Sequence, residues 1–194
     1  SSKASRVCSK STCPSSVSCT PRELRVKSTV FKLLLGLYAP QSGSVLIEGV
    51  PAADIADQDR RALFGYVEQR FHQVPGTVRD QITLYDPAIS DQAVRTAAKL
   101  AGLSDTIESL PQGYDTPCTP ELFSQGQWQL LSIARAAAAN PRILLLDEIT
   151  ANLDAETENT VLQALRRVSA DRTVISISHR TEAKEGRIVP IGKP

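Results

Sequence analysis

Asp147 and Glu148 are the residues whose type and placing first point to chemistry. They close Ile143-Leu144-Leu145-Leu146, an unbroken apolar run that reads as a strand buried in a parallel sheet. In open α/β sheets ligands gather outside the carboxyl ends of the strands. Asp147 is therefore placed to hold a phosphate-bound Mg²⁺, and Glu148 to orient or deprotonate a water. An apolar run ending in two acids is more often a core strand that meets a solvated loop, so the flanks must decide. Upstream, Ser124-Gln125-Gly126-Gln127 opens a helical stretch with Ser124 as its N-cap, and downstream Asp154 takes the same part before the next helix.

Taken in order, these segments resemble the nucleotide-binding domain of ATP-binding cassette (ABC) proteins, most closely the cassette of exporter-type transporters. Ile143 to Glu148 matches the Walker B motif. Phe123-Ser124-Gln125-Gly126-Gln127 stands where the family has the signature LSGGQ, and Ala151-Asn152-Leu153-Asp154 where it has the D-loop SALD. Tyr66-Val67-Glu68-Gln69, followed by Gly76-Thr77-Val78-Arg79-Asp80-Gln81-Ile82, resembles the Q-loop and the exporter segment after it. Leu110 to Thr116 resembles the segment that precedes the signature, and Ser178-His179-Arg180 resembles the switch histidine. The likeness covers roughly residues 27 to 180.

The resemblance implies an α/β fold: a P-loop NTPase-like sheet with helices on both faces and a helical signature subdomain at about 83–138. It implies ATP and Mg²⁺ as ligands. Asp147, Ser28 and Gln69 would serve the metal, and Glu148, His179 and Gln69 the hydrolysis. Lys27, Ser28, Thr29, Ser124, Gln125, Gly126, Gln127 and Asp154 would contact ATP. The implied partners are a second ABC ATPase domain, stacked head to tail, and a transmembrane domain on another chain or lost from this one.

Two departures qualify the match. The family phosphate loop, G-x-x-G-x-G-K-[ST]-[ST], is reduced to Lys27-Ser28-Thr29, with Leu24-Arg25-Val26 before it and none of the glycines. Those glycines let backbone amides wrap the phosphates, so the reduced loop is poorly suited to forming that nest. Gln125 replaces a signature glycine and restricts the backbone there. An alternative function follows: a non-catalytic cassette that completes a partner's ATP site or has no activity.

The positioning elements follow from periodicity. Residues 1–26 show neither helical nor strand period and read as disordered, leaving 27–194 as a cassette incomplete at both ends. Val30, Leu33, Leu34 and Leu37 form a helical stripe. Ser44 to Gly49 reads as a strand, Asp57 to Phe64 as a helix, Phe64 to Val67 as a strand, and 91–110 as helical with Val94, Ala97, Ala98 and Ala101 on one face. Val161, Leu162, Leu165 and Val168 mark a helix before the strand 172–178, and Glu185 to Gly192 reads as a final hairpin strand.

With 22 basic and 21 acidic residues among 194, the net charge of +1 gives no reason to expect nucleic acid as the main partner. No apolar run approaches the roughly 20 residues that cross a bilayer. Cys8, Cys13, Cys19 and Cys118 lack the usual zinc spacing and read as free thiols in a reducing compartment. The expected location is cytoplasmic, at the inner membrane face when assembled with a transmembrane partner.

Overall fold

The computed structural model describes residues 16–19, 24–68, 70–150, 153–177 and 187–188. In chain order the elements are β1 (Ser16–Cys19), α1 (Leu24–Leu34), the short strands β2 (Leu46–Ile47) and β3 (Val50–Pro51), α2 (Asp57–Leu63), β4 (Phe64–Val67), α3 (Val78–Thr83), α4 (Asp91–Ala101), α5 (Ser104–Glu108), α6 (Gln125–Ala138), β5 (Ile143–Asp147), α7 (Ala155–Ser169), β6 (Thr173–Ile177) and β7 (Arg187–Ile188). The main sheet runs β4-β5-β6-β1-β7, and each neighbouring pair is parallel. An α/β parallel sheet with helices on both faces is the expected architecture.

The alternation of β5 explains the two layers. Leu144 and Leu146 join a core built with α4, α6 and α7 that includes Val94, Ala134, Ala137 and Val161. Ile143 and Leu145 point the opposite way, into a second core with Phe31 and Leu34 of α1, Phe64 of β4 and Ile175 and Ile177 of β6. The strand is apolar throughout because both faces are covered. Small residues set the helix spacing: Ala97, Ala98 and Ala101 of α4 are buried where α4 crosses α6 and α7. Ser90 caps the start of α4 by accepting from the Ala93 amide, and Gly102 ends it at φ 80°. Gly65 lets β4 lie directly under α6, since a Cβ there would sit 2.4 Å from the Ala136 carbonyl oxygen.

The structure differs from the sequence reading at the edges. Within 1–26, expected to lack structure, Ser16–Cys19 forms β1 between β6 and β7, and α1 begins at Leu24 rather than after Val26. Parallel ladder bonds from a strand on each side do not require the segment's own period, which is why periodicity was silent. The stripe through Leu37 stops short: α1 ends at Leu34, Leu37 is exposed, and Phe31 is the residue that packs inward. Gly36 at φ 67° lies against the Ala52 carbonyl and turns the chain away there. On α7 the buried stripe runs through Val161, Ala164, Leu165 and Val168, while Leu162 is exposed. Ser44 to Gly49 supplies only the β2 arm of a β2–β3 hairpin, turned by Glu48 and Gly49 at positive φ. β7, expected as a hairpin strand, pairs parallel with β1.

Candidate nucleotide site

Asp147 ends β5 at the carboxyl edge of the sheet, and Glu148 follows in the left-handed region at φ 49°. That conformation is uncommon for a side-chain-bearing residue. It is held by the Glu148 amide, which donates to the carbonyl of Ile177 at the end of β6, 3.1 Å away. Ile149, buried immediately after, anchors the turn from below. Both carboxylates are thus carried on backbone tied to two neighbouring strands.

Tyr66, on β4, pairs in register with Leu145 and donates its hydroxyl to Asp147 Oδ2 at 3.0 Å. Its ring stands edge-on to Phe31 of α1, centroids 5.7 Å apart. Burial, and next the Asp147 charge, push the Tyr66 phenol above the ordinary tyrosine range. It therefore stays a neutral donor at physiological pH. Sequence reading passed over this residue; the available signal was a tyrosine in phase with inward-facing Phe64 on the strand beside β5.

Ser124 caps α6 as expected. Its hydroxyl accepts from the Gln127 amide at 3.3 Å, and its own amide donates to Gln127 Oε1 at 2.9 Å, a complete capping box. Phe123 packs edge-on against Trp128, centroids 5.2 Å apart, a hydrophobic staple at the same helix end. Ser124 and Gln125 are exposed at the helix terminus, where the dipole favours an anion. Gln125 is the first helical residue and does not have a positive φ, so a side chain is accommodated where the family has glycine. Gly126 is the demanding position, because a Cβ there would meet Thr157 Cγ2 at 2.4 Å.

Thr157 belongs to the capped first turn of α7. Asp154 Oδ1 accepts from the amides of Glu156 and Thr157, at 3.1 and 3.0 Å, and Oδ2 accepts from the Thr157 hydroxyl at 2.6 Å. These bonds, the hydroxyl first, hold the Asp154 carboxyl below the usual carboxylate range. Both of its oxygens serve the helix cap, which is the role its sequence context indicates.

Lys27, Ser28 and Thr29 lie within α1, which starts three residues ahead of Lys27. As fifth and sixth residues of the helix, Ser28 and Thr29 turn their amides back into its first turn. The link from β1 to α1 is Thr20-Pro21-Arg22-Glu23, without glycine. Gln69 and His179 lie outside the described residues, as do Ala151 and Asn152. Glu68 is hydrogen-bonded through its carboxylate to His72 Nδ1, and His72 is exposed. The donor set suits Mg²⁺ and a terminal phosphate at the β5 edge and the α6 terminus, whereas the glycine-free link does not suit the phosphate wrap.

A second network escaped the sequence reading. Arg135 of α6 donates from Nε to the Gln81 carbonyl at 2.6 Å and from Nη1 to the His72 carbonyl at 2.9 Å, with its guanidinium 3.9 Å from the Phe71 ring centre. Burial pulls its pKa down to about 10, and the nearby Glu68 charge opposes that shift. A lone arginine in the alanine run 134–139 was the available signal.

Comparison with known proteins agrees with this geometry. The family described as ABC transporter matches residues 27–151. The toxin RTX-III translocation ATP-binding protein of Actinobacillus pleuropneumoniae is 43% identical over 173 residues, covering 86% of this chain and 24% of that protein. The ABC multidrug transporter MDR2 of Trichophyton tonsurans is 42% identical over 159 residues, covering 79% of this chain and 12% of its own length. A bacterial Atm1-family ABC exporter solved with ATP bound superposes with a TM-score of 0.78 at 37% identity, covering 91% of this chain and 32% of that one. The chain belongs to the ABC transporter family, as an exporter-type ATP-binding domain. It spans about a quarter or less of the two relatives' length. Among the described residues no helix is long and apolar enough to cross a membrane.

Proposed function

We propose that this domain binds Mg-ATP and hydrolyses it to drive an exporter, working as one of two cassettes stacked head to tail and coupled to a transmembrane domain. Support comes chiefly from one arrangement: Asp147 and Glu148 sit at the carboxyl edge of β5, and the Ser124-capped start of α6 is seated through Gly126 on the first turn of α7. In this reading Asp147 holds Mg²⁺ and Tyr66 fixes the orientation of its carboxylate. Glu148 orients the attacking water, with Gln69 and His179 completing the shell around the terminal phosphate. Ser124 and the amides of the α6 terminus receive the terminal phosphate of the nucleotide carried by the facing cassette. When bound, Mg²⁺ neutralises charge on the phosphates. Assembled in this way, the domain lies on the cytoplasmic side of the membrane.

Calorimetric titration with Mg-ATP tests the reading. Binding is expected to persist in Glu148→Gln and to weaken in Lys27→Ala and Asp147→Asn, with turnover lost in Glu148→Gln. Absence of binding at millimolar ATP in a folded sample would overturn it for this chain.

The glycine-free link between β1 and α1 supports a second reading, a cassette that contributes only its signature face to a partner's ATP. Hydrolysis by a partner cassette that needs this chain, and that is abolished by Ser124→Arg, distinguishes the two.

A further inference from the structure

The segment 68–76 runs from the end of β4 to α3 and is held by side chains of α6 and α3 and by Cys118. Gln129 of α6 donates from Nε2 to the Glu68 carbonyl at 3.4 Å, one residue before Gln69. Trp128 stacks at a tilt on Phe71, centroids 4.9 Å apart. Gln81, fully buried on α3, accepts from the Val74 amide at 2.9 Å and donates to the Val74 carbonyl at 2.6 Å. Gln73 Nε2 donates to the Cys118 carbonyl at 2.7 Å, and the Cys118 amide donates to the Gly76 carbonyl at 2.9 Å.

Arg135 is where these attachments converge. A planar guanidinium presents donors in a fixed fork, and here Nε serves α3 while Nη1 serves the segment itself. Its face covers Phe71, and its third nitrogen, Nη2, is buried without a partner among the described residues. A residue needed only for α6 packing could be apolar, as the surrounding alanines are. A half-buried cation whose hydrogen bonds go to the carbonyls of residues 72 and 81 contributes attachment.

We propose that Arg135 is a positioning residue that fastens residues 71–76 to α6, so that this segment and the Ser124 cap move as one body. The proposal rests on the hydrolytic reading for its consequence, namely that turnover falls when the attachment is lost. The attachment itself is independent of nucleotide. Lysine in this place keeps the charge and loses the fork, so it cannot reach both carbonyls from one plane.

Hydrogen exchange on the full chain without nucleotide decides it. In Arg135→Lys, exchange across 70–76, including the Val74 amide, is expected to rise by about tenfold or more while α4 and β5 keep wild-type protection. Phe71→Leu, which leaves α6 intact, is expected to raise exchange in the same segment by a smaller factor, and it decides the matter should Arg135→Lys not fold. In an ATP-hydrolysing assembly, Arg135→Lys is expected to lower kcat with KM unchanged. Unchanged exchange at 70–76, or a uniform rise along the chain with a lowered melting midpoint, would overturn the proposal. A chain that does not bind ATP refutes the hydrolytic function and still leaves the exchange result to judge Arg135.

Discussion

The hydroxyl of Tyr66 donates to Asp147 Oδ2 across 3.0 Å, joining the carboxyl ends of two adjacent parallel strands. Tyr66→Phe keeps the ring against Phe31 and removes only this donor. A hydrogen bond to a charged acceptor contributes about 1.5–3 kcal/mol, so the unfolding free energy from urea denaturation should fall by the lower part of that range with the m-value unchanged. The phenol is raised above 10.0 in the fold, so its contribution is complete below pH 10 and declines as pH rises toward the folded value. Tyr66→Phe should therefore flatten the loss of stability above pH 10, measured by denaturation between pH 8 and about 11.

Gly126 brings the start of α6 against Thr157 in the first turn of α7. Gly126→Ala forces the new methyl onto Thr157 Cγ2, which cannot swing aside without breaking the bond from its hydroxyl to Asp154. Overpacking of this kind costs about 1–3 kcal/mol. Thr157→Ser removes the obstructing methyl and keeps the hydroxyl, so a double-mutant cycle should show much of the loss recovered. An additive cycle would mean that the two side chains do not meet.

Asp154→Asn should leave stability near neutral pH little changed, because asparagine caps helices as well as aspartate does. The acid limb should differ. The Asp154 carboxyl is depressed in the fold, so its contribution is present above the unfolded value near 3.9 and is lost as pH falls through the folded one. Urea midpoints at pH 7 and about pH 3 should show a smaller drop in the variant than in the parent.

At Gly65 a Cβ would lie 2.4 Å from a backbone carbonyl of α6, 2.7 Å from Pro141 Cγ and 2.9 Å from Leu144 Cδ2. The carbonyl belongs to a helix packed on the sheet and has no rotamer to change. Gly65→Ala should therefore cost about 3 kcal/mol, the upper part of the overpacking range, seen as a lower melting midpoint or as insoluble chain.

Local chemistry made part of this legible without coordinates. The Ser124 and Asp154 caps, the buried alanine face of α4 and the strand leading to Asp147 were all readable. Caps depend on a few consecutive residues and stripes on a fixed period, so each is written along the chain itself. The family motifs extended that reading to the site.

What the sequence by itself determined, then, was the lineage, the parallel α/β class and the identity of the carboxylates at the end of β5. Only the tertiary structure decided that Ser16–Cys19 takes a place between β6 and β7, that Tyr66 holds Asp147, that Gly126 rather than position 125 requires a glycine, and that Arg135 binds carbonyls from two separate segments. Each of these is a relation between residues far apart in sequence. A parallel ladder, a cross-strand hydroxyl, a helix crossing and a guanidinium fork all depend on distances that no local pattern encodes.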